Sequence, residues 1–459
     1  MRWHTVAARL AAGFASLALL GGCTAGATPS PLPTPSPSPA LVTPSASPSS
    51  SPLGTPSPAP SPSEEPTSDL AWHRIGAIPV EAGGIGGVVG FANGYVAVGG
   101  GSRSVWFSAD GRAWRENKLP FKVTKDKYGR PLEAGANAVT TNGTQVLVIG
   151  GYSHEPCRAP DPQLVGGGPE CPLYPLAWVS DDGVTWQSAY PGPQPADPPG
   201  YDQGSEFAAA WPVPTGGWDA AVSYWQGVTL RGRDLWHSSD GIHWTKLEPA
   251  PAPDLEGQPE FPWVHAGAAD QEGLRVLWQG WSDYTDPLAS GAGVPVMTLA
   301  TSPDGRSWTT VDGFAGRGTE ISAGVAPAGD HGRWVLVGAS GITDDYNASV
   351  PTAWTSEDRV GWTAAVLPIA AGSRGGRVMS VVLTQAGYVA VGVTWDGEGG
   401  AQFWTSLSED GLTWVELPPV GTPGADSEQS RVADGPAGVI RVGVSPTDSG
   451  GEAAVWQLR

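Results

Sequence analysis

The chain has 459 residues and a formal net charge of −20, from 45 Asp and Glu against 25 Lys and Arg. That balance argues against nucleic acid or an anionic lipid surface as partner, since both are met by basic faces. The one basic cluster, Lys118, Lys122, Lys125 and Lys127 in "KLPFKVTKDKYGR", reads as a solvated loop.

In chain order, the first element is a leader. Arg2 and Arg9 flank a basic start, and Leu10 to Leu20 form an apolar run. That run is far short of the roughly 20 residues that a bilayer core requires. Residues 1–22 therefore read as a signal peptide. The "LGGC" at its end resembles a bacterial lipobox, in which the Cys becomes the lipidated N-terminus. The resemblance implies an anchor on Cys23 and a place on the outer face of a bacterial cytoplasmic membrane. Two or more acyl chains would hold it there, at ~0.8 kcal/mol per buried CH₂.

From Thr24 to Ser68 the chain is almost all Pro, Ser, Thr and Ala, with no aromatic residue and no Lys or Arg. Such a segment cannot bury enough apolar surface to offset its ordering entropy. Extended polyproline II at about 3.1 Å per residue makes residues 23–68 a stalk on the order of 100 Å long. Two further cysteines, Cys157 and Cys171, lie close together in what reads as an exported chain, and we expect a disulfide between them. It would close a loop of about 15 residues, worth ~3 kcal/mol in the chain-entropy picture. A zinc site is the weaker alternative, with His154 as the single nearby imidazole.

From residue 69 onward the chain repeats. "SADGRAW" at Ser108 recurs as "SDDGVTW", "SSDGIHW", "SPDGRSW" and "SEDGLTW", with a degenerate "SEDRVGW" at Ser356. Each copy is preceded by a β-rich segment ending in glycine ("YVAVGG", "QVLVIGG", "YVAVGV") and a strand such as "SVWFS" or "LAWVS". A short strand often closing on Pro comes after it. With the alternating run ahead of the glycine-ended segment, that makes four strands per repeat. Residues 436–459 match the opening of a seventh copy, and "LAWHRIGAIP" from Leu70 matches the short strand on the C-terminal side of a motif. The expected fold is all-β: a seven-bladed propeller over 69–459, its last blade closed by both chain ends.

An Asp beside a Gly could be a metal loop, a catalytic carboxylate or a turn. The repeated motif resembles the Asp box of sialidases and related propellers, and the resemblance covers the whole repeat region. It implies a structural hairpin role for Asp110, Asp182, Asp240, Asp304, Asp358 and Asp410, since six places around a ring cannot form one active site. A carboxylate there can accept turn N–H groups, and Gly permits positive φ. The degenerate Asp358 copy, with Arg359 in the glycine place, is expected to keep its turn but with poorer order.

Long insertions fall in the loops from fourth to first strand and from second to third, on the face opposite the motifs. This directs the search for function to that face. Its aromatic and acidic groupings are Tyr201 with Asp202, Trp281 with Asp283 and Tyr284, Tyr346 beside Asp344 and Asp345, and Trp395 beside Asp396. These suit sugars or peptides, and equally suit ordinary turns. Several oxygens together would also suit Ca²⁺, although no metal or cofactor is predicted.

Sialidase-type chemistry, which the resemblance raises, needs three arginines on a substrate carboxylate, a Tyr–Glu nucleophile pair and an Asp acid/base. Arg74 in "HRIG" falls on an outer strand. Arg317, Arg377 and Arg431 each stand near the start of the innermost strand of successive blades. They would either converge on the central channel as carboxylate forks or sit as solvated strand ends. No Tyr–Glu pair can be placed. The leading expectation is a monomeric, surface-tethered, non-catalytic propeller binding a glycan, peptide or envelope protein. The alternatives are an exo-sialidase-type glycosidase and an assembly factor for a membrane complex.

Overall fold

In the computed structural model, residues 70–459 are described except 81–84, 123–124, 126–130, 155–173, 190–202, 214–215, 227–228, 248–262, 271, 273–274, 284–293, 312–313, 315–317, 328–331, 344–347, 370–371, 397–400, 418–429 and 446–451. For 154, 203–206, 223–226, 229–233, 263–265, 277–283, 401 and 444–445 the description is of backbone alone. Cys23, Cys157 and Cys171 lie outside the described residues.

The strands form seven four-stranded antiparallel sheets. Blades one to six occupy residues 85–118, 132–189, 203–246, 263–311, 320–366 and 375–416. Blade seven joins Arg431–Gly435, Gly438–Ser445 and Glu452–Leu458 to an outermost strand from the other end of the domain, Trp72–Ile78. Trp72 pairs with Leu458 and Ile78 with Ala453. Arg74 is on that outer strand, as expected, and reaches Glu452 at 3.6 Å in solvent. The first strands of successive blades contact one another all the way around the ring, so they line its axis.

Each seam between blades holds its own apolar cluster. Phe91, Val96, Tyr152 and Trp178 fill the seam of blades one and two, and Met297, Leu299, Trp334 and Trp354 that of four and five. The tryptophans before the hairpin motifs are part of this packing. Trp178 donates its Nε1–H to the Pro120 carbonyl of the blade before it at 2.7 Å, and Trp404 does the same to Pro368 at 2.6 Å. The prolines that close the outer strands thus present carbonyls with no ladder partner, and the next blade's indole takes them. Seam three–four differs. The Asp219 carboxylate, with its side chain 2% exposed, is paired to Arg275 Nε from the next blade and to His237 Nδ1 at 2.7 Å. An aliphatic residue stands in the place of Asp219 in other blades, such as Val96 and Val335.

The six hairpin motifs share one geometry. In each, the Asp Oδ1 accepts the N–H groups two and three residues on: Val184 and Thr185 for Asp182 at 2.8 and 2.6 Å, Leu412 and Thr413 for Asp410 at 2.8 Å each. The motif Ser donates to the same carboxylate at 3.1–3.2 Å. Glycines 111, 183, 241, 305 and 411 have φ between 72° and 76°, which is why Gly is the residue there. Arg359 takes φ 67° in the degenerate copy and keeps the turn with the same hydrogen bonds: Val360 and Gly361 donate to Asp358 at 2.9 and 2.7 Å. Its hydrogen bonding is therefore as complete as in the other copies. The hairpins also tie seams, for Thr355 donates to the Gly411 carbonyl of the next blade at 2.7 Å.

These bonds set the acids' protonation. Burial alone would raise Asp182, but the Thr185 and Val184 N–H groups and the Thr185 and Ser180 hydroxyls outweigh it and bring the pKa to about 2. Ser307 N–H and then Arg306 N–H hold Asp304 at about 2 as well. A folded pKa below the unfolded value contributes stability that is complete above about 3.9 and lost as pH falls through about 2. Asp182→Asn should therefore cost about 1 kcal/mol near neutrality, after discounting for exposure. The gap in melting temperature from the wild type should narrow between pH 4 and pH 2. A gap that stays constant across that range would show that an ionised carboxylate does not staple this turn.

Candidate functional site

First strands begin, and second strands end, on the face opposite the hairpins. In blade six, Gly375 pairs with Trp395 and Arg377 with Val393. The ladder then slips between Val378 and Ser380, and the same slip occurs in blade five between Ile321 and Ala323. The slip recurs in the first strand pair of blades one to four, and a bulge bends the strand that carries it. The glycine-ended second strands allow these bulges, because a Cβ on Gly392 would run into the Arg377 carbonyl oxygen and one on Gly338 into that of Glu320. The recurrent "VxVG" segment thus makes room for the channel wall.

Charged side chains stand near the starts of the first strands of blades five, six and seven. Glu320 and Arg377 occupy equivalent positions in neighbouring blades, each one residue before the slip begins. Arg377 Nη1 lies 3.7 Å from Glu320 Oε1, with side chains 17% and 24% exposed. The first strands of blades six and seven are held side by side by Val432 N–H donating to Ser380 Oγ at 3.4 Å. Arg431 immediately precedes Val432; its Nη1 donates to the Ser430 carbonyl at 3.0 Å. Among the described residues no carboxylate forms an ion pair with Arg431. Burial first, and then the neighbouring charge of Arg377, lower its pKa below the usual arginine value. It stays charged at neutral pH all the same.

Of the residues singled out in the sequence, Arg377, Arg431 and Trp395 are brought to one sector of this face. Trp395 is half-buried at the end of the second strand of blade six, and its carbonyl accepts Arg374 N–H at 2.7 Å. Arg317, Tyr201, Asp202, Tyr284 and Tyr346 lie outside the described residues. Trp281 and Asp283 end the second strand of blade four, where their backbones pair with Val296 and Val294. Glu320 does not stand out in the sequence, although aligning "EISAG" with "RVMSV" puts it in the register place of Arg377. The described tyrosines with assigned burial, Tyr95, Tyr152, Tyr174 and Tyr388, are all core residues. Tyr95 and Tyr388 donate to the Gly438 and Arg333 carbonyls at 2.5 and 3.0 Å. Among the described residues no helix is long and apolar enough to cross a membrane, and no group of three metal-ligating side chains is assembled.

No protein-family model and no curated protein matches the sequence. Among solved structures, Trypanosoma rangeli sialidase in complex with the inhibitor DANA is 12% identical, over 83% of this chain and 55% of that chain, at a TM-score of 0.42. A streptogramin B lyase is 8% identical, over 85% and 98% of the two chains, at 0.46. An ulvan lyase of polysaccharide lyase family PL25 bound to -[GlcA(1-4)Rha3S]- is 11% identical, over 83% and 95%, at 0.45. The chain spans little more than half the length of that sialidase. The likeness is one of architecture and assigns no residue a role.

Proposed function

We propose that this protein is a non-catalytic binding propeller whose channel mouth takes a carboxylate-bearing ligand, an acidic glycan foremost. The observation that supports it is Arg431, a guanidinium largely withdrawn from water whose Nη1 bonds the Ser430 carbonyl, on the strand beside the one that carries Arg377. A desolvated arginine without a carboxylate partner is costly unless an anion completes it. Its planar fork suits carboxylates. Trp395, two rungs above Arg377 on the adjacent strand, offers a flat apolar face for a sugar ring.

The same feature favours one second reading, hydrolysis of an acidic glycoside, because a carboxylate clamp is what such an enzyme needs. The lipobox and the Pro-rich segment add a proposed setting: display on a stalk outside the cytoplasmic membrane, anchored through Cys23. The test is an array of acidic and neutral oligosaccharides probed with the purified chain, run beside a fluorogenic sialoside. Retention of acidic glycans without turnover supports binding. Turnover moves the protein to the glycosidase reading, and no preference for acidic over neutral glycans overturns both.

A further inference from the structure

We infer that Asn142 is a site of spontaneous covalent modification, losing its side-chain amide as ammonia through a cyclic imide formed with Gly143, and that the fold promotes the step there. The chain holds two Asn–Gly pairs, Asn93–Gly94 and Asn142–Gly143. Each lies at the turn from first to second strand, in blades one and two. In the step the Gly143 backbone nitrogen attacks Asn142 Cγ. The N–Cγ bond forms, the Cγ–Nδ2 bond breaks, and the Gly143 amide proton leaves with that nitrogen as ammonia. Water then opens the imide, at Cγ to give aspartate or at the backbone carbonyl to give isoaspartate.

Asn142 has the hydrogen-bond pattern of the motif aspartates. Its Oδ1 accepts the Thr144 and Gln145 N–H groups at 3.1 and 2.8 Å and the Thr144 hydroxyl at 3.0 Å. In the motifs those donors hold an ionised carboxylate, a poor electrophile, although Gly comes next in five of them. On a neutral amide the same donors draw charge from Cγ and meet the oxyanion that develops as nitrogen attacks. Gly143 N–H donates to Thr141 Oγ1 at 3.0 Å, so its proton faces a hydroxyl and not a strand ladder. Gly143 is exposed at φ 92°, and a Cβ there would meet nothing within 4 Å, so the approach is uncrowded. The turn is also held in place. Ala92 N–H of blade one donates to the Gly143 carbonyl at 2.9 Å, and Gln145 Nε2 to Asp181 Oδ1 at 2.6 Å. Asn93–Gly94 lacks these features. Gly94 is buried against the Ser108 carbonyl. Asn93 gives its Nδ2–H to the Asp181 carbonyl at 2.9 Å, and among the described residues nothing donates to its Oδ1.

The test is ageing of the full chain at mildly alkaline pH, folded and in guanidinium chloride, with peptide mass mapping of both pairs. In the folded protein Asn142 should convert about tenfold or more faster than Asn93, and no more slowly than in the denatured chain, where the two pairs should convert alike. Thr144→Val removes one donor and should slow Asn142 by about fivefold, the equivalent of one neutral hydrogen bond. Thr144→Ser keeps the hydroxyl and should keep the wild-type rate. The inference is overturned if Asn93 keeps pace with Asn142 in the folded protein, or if folding slows Asn142. It is overturned as well if Thr144→Val converts as fast as the wild type at an unchanged melting temperature. Should Thr144→Val melt lower, the folded-to-denatured ratio at Asn142 in the wild type decides alone.

Discussion

An Arg431→Met protein should lose carboxylate binding by about 10- to 100-fold, the equivalent of one charge-assisted contact, while unfolding at the wild-type temperature or above it. The two halves of that expectation come from one fact. The Arg431 guanidinium is largely withdrawn from water and has the Ser430 carbonyl as its hydrogen-bond partner and the charge of Arg377 as its neighbour. Such a group is a stability cost in the empty protein, and an apolar side chain of similar length removes the cost. A structural arginine behaves in the opposite way. Arg275, paired to the Asp219 carboxylate across seam three–four, would leave that buried carboxylate with His237 alone if replaced, a loss of up to about 3–5 kcal/mol. Calorimetry with glucuronate and a thermal melt on the same sample decide the matter. A large fall in melting temperature with unchanged binding would make Arg431 a scaffold residue.

The ring was legible because each motif residue answers a separate local demand, and the demands repeat. Asp accepts two turn N–H groups, Gly takes positive φ, and Trp bonds back to the turn carbonyl, as Trp414 does to Gly411 at 3.0 Å. The Asp contacts recur in all six copies, and the glycine and the tryptophan bond in five each, so the motif cannot be mistaken for one site. The strand shared between chain ends was legible for the same reason, since "LAWHRIGAIP" fits only as an outer strand. The mouth was half legible. Arg377 and Arg431 stand out as charges at strand starts, but the bulge after Arg377 depends on a glycine, Gly392, in the neighbouring strand, and Glu320 acquires meaning only beside the next blade. The Asp219, Arg275 and His237 cluster was hidden on similar grounds. Asp219 and Arg275 stand where other blades have apolar residues, such as Val96 and Trp334, and only the pairing across two blades shows them with His237 as a unit.

The closing seam carries the second large effect. Trp72→Ala should destabilise the propeller by about 3–5 kcal/mol, the usual cost of emptying a buried tryptophan site. Trp72 is 5% exposed and donates its Nε1–H to Thr405 Oγ1 at 3.1 Å, so the outer strand of blade seven grips blade six directly. Its ring is also one wall of a box around Arg441, which is 1% exposed. The guanidinium carbon lies 5.4 Å from the Trp72 centroid, 5.0 Å from Phe403 and 4.4 Å from Trp456. Burial lowers Arg441 to a pKa of about 10, so it is still charged at neutral pH, and three aromatic faces stand where a carboxylate would normally be. Residues from blade six, from the last strand and from Trp72–Ile78 must all be present for that box to exist. The loss on Trp72→Ala therefore combines the emptied volume, the indole hydrogen bond and the exposure of a cation whose stabilisation came from being enclosed. Equilibrium denaturation gives the magnitude, and limited proteolysis of the strand 72–78 shows whether the seam has opened. A cost below about 1 kcal/mol, no more than an ordinary surface change, would mean that the backbone ladder to residues 453–458 holds the ring without this side chain.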